Sequence, residues 1–205
     1  MHERMLNKKV SPAIEEMKSV NRKSIGTHFS MCVQPAFIIG TNNEDGTYNF
    51  APITWVSVTN EKDNDYLLVI SMFGTKRTKQ NVIRTGKLSV NLVSTDMLEL
   101  MDYFGTHHSK DGIKDGVSYS VGRGDVVDVP VLEASRWIYE CEVVKSVDTG
   151  ESTTFFCKIM NIQVDENFMC QDSFDVDLTK LDPVIYLGMY HSIGKLLGKI
   201  GDFSL

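Results

Sequence analysis

Asn49-Phe50-Ala51-Pro52-Ile53-Thr54-Trp55-Val56-Ser57 is the stretch that decides the fold we expect from this chain. It follows an Asp45-Gly46 pair, which is a strong hairpin signal, so a strand should lie on either side of that turn. Pro52 lacks an N–H and therefore predicts a sheet edge, a bulge or a bend. The stretch also combines neutral hydrogen-bonding side chains with a tryptophan. That mixture suits a surface that holds a planar ligand with polar edges.

Strand patterns recur along most of the chain, and only short helical patterns lie between them. A doubly wound parallel sheet needs a substantial helix after nearly every strand, so we exclude that architecture. The pattern predicts a mainly β protein, an antiparallel, Greek-key-like barrel with short inserted helices. The predicted strands are Ala36–Thr41, Tyr48–Thr59, Tyr66–Met72, Lys87–Val93, Ser135–Asp148 and Thr153–Asp165, and Leu181–Leu187 is predicted to be a strand or a turn. The predicted helices run from a Thr78 N-cap to Gly86 and from Ser94 or Thr95 to about Phe104.

The two ends of the chain differ in character. Residues 1–23 show a loose helical pattern with apolar positions on one face, so we predict an N-terminal arm that packs on a partner subunit. Residues 24–205 show no internal repeat or linker and are predicted to form one domain. Within it, His107–Gly124 is rich in Gly, Asp, Lys and Ser and is predicted to be a long loop.

Composition limits the class of function. The net charge is −6, which argues against a broad nucleic-acid-binding surface. No apolar run approaches the ~20 residues that span a bilayer, so we expect no membrane partner. The four cysteines form no C-x-x-C pair, and the adjacent His107 and His108 do not converge easily on one ion. We therefore predict a cytoplasmic protein with reduced thiols and no metal site.

A local basic cluster stands out in this acidic chain. Lys76, Arg77 and Lys79 lie beside Thr75 and Thr78 at the predicted start of a helix, where free N–H groups and the helix dipole favour an anion. A phosphate site and a solvated helix end are both compatible with this pattern. The polar faces of the strands leave similar alternatives. Asn91 either faces a ligand or solvent, and Trp55 either walls a binding site or fills the core.

Taken in order, these features resemble the flavin reductase-like (flavoredoxin-type) family of FMN-binding split-barrel proteins. The motifs that carry the resemblance are Pro35, Asp45-Gly46, Asn49-Phe50-Ala51-Pro52, Trp55-Val56-Ser57, Lys76-Arg77-Thr78-Lys79-Gln80-Asn81-Val82, Val90-Asn91-Leu92, Glu140-Cys141-Glu142-Val143 and the segment 186–194. The resemblance implies non-covalent FMN near the interface of a homodimer. By this resemblance Asn49, Ala51, Thr54, Trp55, Val56 and Ser57 line the isoalloxazine. Ser71, Met72, Lys76, Thr78, Lys79 and Asn81 lie toward the phosphate, with Asn91 nearby and Tyr190 reaching the cofactor.

The resemblance also implies an enzyme, an NAD(P)H-dependent flavin reductase that transfers hydride to flavin N5. The flavin carries such chemistry, so no side chain need act as acid or base, and we predict no catalytic residue. Two alternatives remain open. One is an electron-transfer flavoprotein that receives electrons from a protein partner, and the other is a non-enzymatic flavin-binding module.

Overall fold

The computed structural model describes residues 20–24, 26–27, 33–62, 65–107, 117–168 and 178–197. Twelve strands and three α-helices lie within these ranges. The strands are β1 (Gln34–Pro35), β2 (Phe37–Asn42), β3 (Tyr48–Ile53), β4 (Val56–Lys62), β5 (Asp65–Phe73), β6 (Lys87–Leu92), β7 (Val121–Arg123), β8 (Pro130–Leu132), β9 (Trp137–Thr149), β10 (Ser152–Val164), β11 (Val184–Tyr186) and β12 (Tyr190–Ser192). The helices are α1 (Arg77–Thr85), α2 (Leu98–Thr106) and α3 (Leu178–Leu181), and 3-10 turns occupy Thr95–Met97 and Glu166–Phe168.

A seven-stranded sheet in the order β3-β2-β6-β9-β10-β5-β4 forms the centre of the molecule, and all its pairs are antiparallel. Its two edge strands, β3 and β4, are consecutive in the chain and are joined only by Thr54 and Trp55. Three Cα–Cα steps of about 3.8 Å separate the strand ends, so the sheet must curl until its edges approach each other. Pro52 lies on the edge strand β3, as its missing N–H predicts. The expected mainly β, antiparallel architecture with short inserted helices is confirmed.

Two apolar cores lie on opposite faces of this sheet. The interior of the curled sheet is filled from every strand by alternate side chains, among them Ile39, Ile70, Leu88 and Phe155. The second core lies outside, where α2 and β8 cover β2 and β3. Strand β6 contributes Leu88 and Val90 to the interior core, and its predicted polar face, with Ser89 and Asn91, is buried as well. Burying each large side chain contributes about 1.5–3 kcal/mol, so these two cores account for most of the favourable free energy of folding.

Helix α1 differs from its prediction in two details. It begins at Arg77 after Lys76, which is the N-cap, so Thr78 lies in the first turn and is not the cap. Val82 is buried as expected, but Ile83 is 63% exposed and does not face inward. The helix ends at Gly86, where φ is +66° and the backbone N–H bonds to the Val82 carbonyl oxygen, as predicted from the glycine.

The predicted loop and the predicted N-terminal arm are only partly within the described residues. The expected loop 107–124 contains strand β7, which pairs with β8, while its residues 108–116 lie outside the described part. The predicted arm 1–23 lies mostly outside it too, and residues 20–23 form no helix. The boundary between an arm and a domain at residue 24 stays a prediction. No helix in the described ranges combines the length and apolar character needed to span a membrane.

Candidate functional site

The N-terminus of α1 is a cationic helix start. Gly74 ends β5 with φ at +73°, and its N–H bonds to the Glu151 carbonyl oxygen at 2.9 Å, which joins this turn to the β9–β10 turn. No side chain caps the helix, and its first turn holds no acidic residue. Lys76 and Arg77 are exposed, while the ammonium of Lys79 lies 3.3 Å from the Glu151 oxygen. The free N–H groups, the helix dipole and the nearby cations therefore all favour an anion at the start of α1.

A cluster of neutral polar side chains holds α1 on the β2–β3 hairpin. The amide of Asn49 donates to the Thr78 hydroxyl oxygen at 2.7 Å. The amide of Asn81 donates to Thr41 Oγ1 at 3.1 Å and to Asn43 Oδ1 at 2.8 Å. Because Thr41, Thr78 and Asn81 are buried, each of these bonds replaces contact with water and is costly to leave unmade. The structure therefore brings Asn49, which was predicted to line the ring, beside Thr78 and Asn81 of the predicted phosphate side. Asn49 bonds to Thr78 directly, whereas Asn81 bonds to Thr41 and Asn43 of the hairpin.

The crossover from β3 to β4 supplies a second group of predicted residues. Trp55 is 40% exposed, so it does not fill the core. Its carbonyl oxygen accepts from the Ser71 N–H at 3.0 Å, which ties the crossover to β5. Ser71 also shares a 2.7 Å hydrogen bond with Thr154, a residue that the sequence reasoning missed because β10 shows no motif around it. Thr54, Val56 and Ser57 flank Trp55, with Ser57 exposed and Thr54 and Val56 half-buried.

Ala51 lies close to both groups. It sits half-buried on β3, two residues from Asn49 and three from Thr54, and pairs with Ile39 of β2. A small side chain at this position leaves room above the strand between the hairpin cluster and the crossover.

Two predicted site residues, Met72 and Asn91, are buried in the sheet and face neither the α1 start nor the crossover. Met72 is 1% exposed and packs in the interior core, on the sheet face opposite Ser71. Asn91 is completely buried; its amide donates to the Ile38 carbonyl oxygen and to Ser89 Oγ, and its Oδ1 accepts from the Leu132 N–H. The alternation of β6 placed Asn91 on a polar face, but β8 covers that face. Both residues support the sheet and have no free group to offer a ligand.

Tyr190 lies in the small sheet β1-β11-β12, away from α1. Its ring packs against Tyr186 with centroids 5.7 Å apart. Burial, then the negative charge of Asp102 on α2, raises the pKa of its hydroxyl above the ordinary value. Asp102, whose charge acts on Tyr190, lies on the same helix as Gly105, which approaches Pro52 of β3. Tyr190 therefore lies near the outer side of this edge strand. No described contact joins it to the α1 cluster.

No cluster of three His, Cys, Asp or Glu side chains that could hold a metal ion lies within the described ranges. His107 stacks on Tyr103 with ring centroids 4.6 Å apart and its Nδ1 lies 3.0 Å from the Tyr103 carbonyl oxygen, an arrangement that ends α2. His108 lies outside the described part.

Two open concavities of about 550 and 440 Å³ occur on the described surface, and neither is at α1. The first is lined by Arg123, Arg136 and Gln163, among others, and the second by Leu100 and Tyr119. No predicted site residue lines either of them. At the α1 start and the crossover Lys76, Arg77 and Trp55 are exposed, so a ligand there would need a further covering element.

Comparisons with known proteins agree with this geometry. The family model described as "Flavin reductase like domain" matches residues 29–188. The FMN reductase (NADH) RutF of Pseudomonas syringae pv. syringae (strain B728a) is 24% identical over 153 residues, which are 75% of this chain and 83% of that protein. Flavoredoxin from Methanosarcina acetivorans superposes with a TM-score of 0.77 at 21% identity, over 90% of this chain and 97% of that one. A putative flavin reductase with split barrel domain from Shewanella frigidimarina NCIMB 400 gives 0.69 at 22% identity, over 82% and 85%. The predicted split-barrel fold is confirmed.

Proposed function

The chain belongs to the flavin reductase-like family, and from this premise we propose that it binds FMN non-covalently and acts as an NAD(P)H-dependent flavin reductase. One observation carries the proposal. The hydrogen bond from Asn49 to Thr78 seats the cationic start of α1 against β3, one strand length from the exposed Trp55. A phosphate site and a ring site then lie on one continuous surface, as a ribityl phosphate and a three-ring head require.

The residues present fit a phosphate at the start of α1. The first N–H groups of the helix have no acceptor within the helix, and Lys76 is an N-cap without a side-chain hydrogen bond. A Cβ built on Gly74 would meet no atom within 4 Å, so the space beside this turn is open. The exposed Lys76 and Arg77 can supply charge-assisted hydrogen bonds, which are roughly twice as strong as neutral ones.

The residues of the crossover fit a flavin ring. Trp55 offers an exposed aromatic face, and Thr54 and Ser57 offer hydroxyl groups for the polar edge. When bound, the flavin supplies the redox chemistry by accepting hydride from a nicotinamide and passing electrons onward. The protein's part is to orient the ring and keep water from one side of it. Neither task requires an acid or a base, and we keep the proposal that no side chain is catalytic.

A second copy of the chain is the covering element that we propose. The outer surface of the sheet beside Ser71 and Thr154 carries four apolar side chains, here called the outer face: Val69, Phe73, Val147 and Phe156. Phe73 is 53% exposed and Val147 is 41% exposed. Val69 and Phe156 are half-buried, and exposed apolar residues on one sheet face support a protein–protein contact there. A homodimer through the outer face would cover the crossover and complete the site.

We propose a reducing compartment from the state of the thiols. Cys141 and Cys157 are both free and buried, which supports a reducing compartment such as the cytoplasm. Cys32 and Cys170 lie outside the described part.

An anaerobic absorbance experiment tests the proposed function. The purified protein is loaded with FMN, freed of excess ligand, and mixed with NADH or NADPH under argon. We expect bound flavin that loses its visible absorbance with one of the two nucleotides. A protein that retains no FMN contradicts the proposal. Bound FMN that is reduced by dithionite and by neither nucleotide would instead identify the electron-transfer flavoprotein, and a colourless protein that does not take up FMN fits neither role.

A further inference from the structure

A completely buried carboxylate, that of Glu140, has no cationic partner among the described residues. Glu140 on β9 has no exposed surface, and all its described partners are neutral N–H groups. Its oxygens accept five hydrogen bonds. Oε1 accepts from the Asp125 N–H at 3.0 Å, Asn161 Nδ2 at 2.7 Å and Gln163 Nε2 at 3.0 Å, and Oε2 accepts from the N–H groups of Val126 and Val127 at 2.8 and 2.7 Å.

The segment 124–127 is folded around this carboxylate. Three successive backbone N–H groups converge on it, which is the concave arrangement that binds anions elsewhere in proteins. Gly124 is required for the close approach, because a Cβ there would lie 2.6 Å from Glu140 Oε2 and 2.3 Å from the Val127 carbonyl oxygen. Removing the negative charge would leave these donors pointing at each other without an acceptor.

The residues that flank this segment hold the β2–β3 turn. Arg123 Nη1 donates to Asn42 Oδ1 at 2.9 Å, and Asn42 Nδ2 donates to the Asp128 carbonyl oxygen at 2.8 Å. Both polar atoms of the Asn42 amide are thus held by the two ends of one loop. The guanidinium of Arg123 also lies 5.2 Å from the centre of the Tyr48 ring, on the other side of the turn.

The same turn is the seat of α1. Arg84 Nη2 donates to the Asn42 carbonyl oxygen at 2.6 Å, and the neighbouring Asn43 accepts from Asn81 at 2.8 Å. The contacts therefore run without a gap from Glu140 through segment 124–127 to Asn42, and from the turn to the helix. The steps in this series are hydrogen bonds and covalent neighbours along the chain, and they give a displacement of the segment a route to the turn.

We propose that Glu140 is a positioning residue for the phosphate end of the cofactor site, acting through segment 124–127 and Asn42 on the seat of α1. This role rests on the proposed function. It concerns phosphate alone, because α1 offers N–H groups and cations to the phosphate, whereas the crossover at Trp55 holds the ring.

Riboflavin is FMN without the phosphate. Comparing the affinities of the two ligands therefore distinguishes a role at the phosphate from general support of the fold. Loss of overall structure weakens both ligands equally, but a displaced α1 weakens only FMN. A Glu140→Gln variant keeps the size of the side chain and replaces one oxygen by an NH₂ group. Since Oε1 accepts three bonds and Oε2 accepts two, at least two donors lose their acceptor in either orientation.

Glu142→Gln is the matched control. Glu142 lies two residues along the same strand, 43% exposed, with its carboxylate 3.8 Å from Lys87 Nζ. The same change of charge there touches neither segment 124–127 nor the turn. Asn42→Ala is a second test variant, which cuts the series in a half-buried turn without disturbing the core and remains informative if Glu140→Gln does not fold.

The experiment is a titration of FMN and of riboflavin into the full chain, followed by flavin fluorescence. We expect the wild-type protein to bind FMN more tightly than riboflavin. In Glu140→Gln and Asn42→Ala the FMN affinity should fall roughly 2- to 30-fold, the range for residues that act through contact networks, with little change for riboflavin. Equal losses for both ligands, or no loss in a folded variant, overturn the positioning role and leave the phosphate site intact. Equal wild-type affinities remove the phosphate site itself, and the positioning role with it.

Discussion

Asn49 and Thr78, which are 29 residues apart in the chain, meet through a 2.7 Å hydrogen bond between the amide of one and the hydroxyl of the other. Asn49 lies on the edge strand β3, and Thr78 lies in the first turn of α1. The bond places the start of the helix over the hairpin. It therefore determines where the free N–H groups of α1 can receive an anion relative to the β3–β4 crossover.

Replacing Thr78 by Val tests the contribution of this bond to stability. The substitution keeps the shape of the buried side chain and removes the acceptor, so the Asn49 amide loses its short hydrogen bond. We expect a loss of about 1–3 kcal/mol in the free energy of unfolding, measured by urea denaturation. The exposed Thr75 provides the control, since Thr75→Val should change stability by less than about 0.5 kcal/mol. Equal stability of the two variants would show that the bond contributes nothing.

Removing two cations at the helix start tests the phosphate site. A Lys76→Ala/Lys79→Ala double variant should weaken FMN binding by about 1–3 kcal/mol, the value of charge-assisted hydrogen bonds. Riboflavin affinity should not change. Lys180→Ala on α3 removes an exposed cation far along the chain and should leave both ligands unaffected. An FMN affinity that survives the double change would exclude these lysines from the site.

A charge on the outer face tests the homodimer. Val147→Asp places a carboxylate among Val69, Phe73 and Phe156, where a partner subunit would have to bury it. We expect a dimer for the wild-type protein and a monomer for the variant by light scattering after size exclusion. Ile83→Asp is the control, because Ile83 is also apolar and exposed, at 63% against 41% for Val147, but lies on α1. A wild-type monomer, or a Val147→Asp dimer, would contradict the proposed interface.

The pH dependence of stability should carry a signature of Glu140. Burial raises the pKa of this carboxyl, but hydrogen bonds from Val127, Asn161, Val126 and Asp125 lower it more, and the net pKa lies below the ordinary value. A lowered folded-state pKa stabilises the protein above the unfolded-state pKa of about 4.3, and this contribution is lost as the pH falls through the folded-state value. The stability difference between wild type and Glu140→Gln should therefore be constant near neutral pH and shrink below about pH 4. Urea denaturation of both proteins at several pH values measures this difference. A difference that grows as the pH falls would contradict a lowered folded-state pKa for Glu140.

The buried thiols should be inert in the folded protein. Burial raises the pKa of Cys157 to about 12, and burial followed by the neighbouring Cys157 and Glu140 raises that of Cys141 well above its usual range. Because the thiolate is the reactive species, neither should react with an aromatic disulfide reagent at neutral pH until the chain unfolds. The measurement uses a Cys32→Ser/Cys170→Ser background. Rapid reaction of the native variant would show that this core opens readily.

The sequence was informative where local chemistry decides the structure. Asp45-Gly46 marked the hairpin, Pro52 marked an edge strand, and Gly86 marked the end of α1, because each residue imposes a backbone conformation by itself. The alternation of β6 correctly separated the two faces of that strand. Its neighbour on the outer side could not be inferred, because β8 lies about 40 residues further along the chain, and Asn91 was therefore assigned to a ligand-facing surface.

Long-range contacts account for the other differences. Nothing near Glu140 distinguishes it from Glu142, yet one is buried with five donors and the other is half-exposed. The donors come from segment 124–127 and β10, and only the folded chain brings them together. Thr154 was missed for the same reason, since its partner Ser71 lies 83 residues away. Trp55 illustrates the reverse case, because an aromatic residue between two strands usually enters a core and this one stays exposed at the crossover.

A crystal structure of the protein with FMN tests the central claim most directly. We expect the phosphate within hydrogen-bond distance of the first-turn N–H groups of α1 and of Lys76, and the ring beside Trp55 and Ser57. FMN bound with its phosphate away from α1, for example in the concavity lined by Arg123 and Arg136, would contradict it.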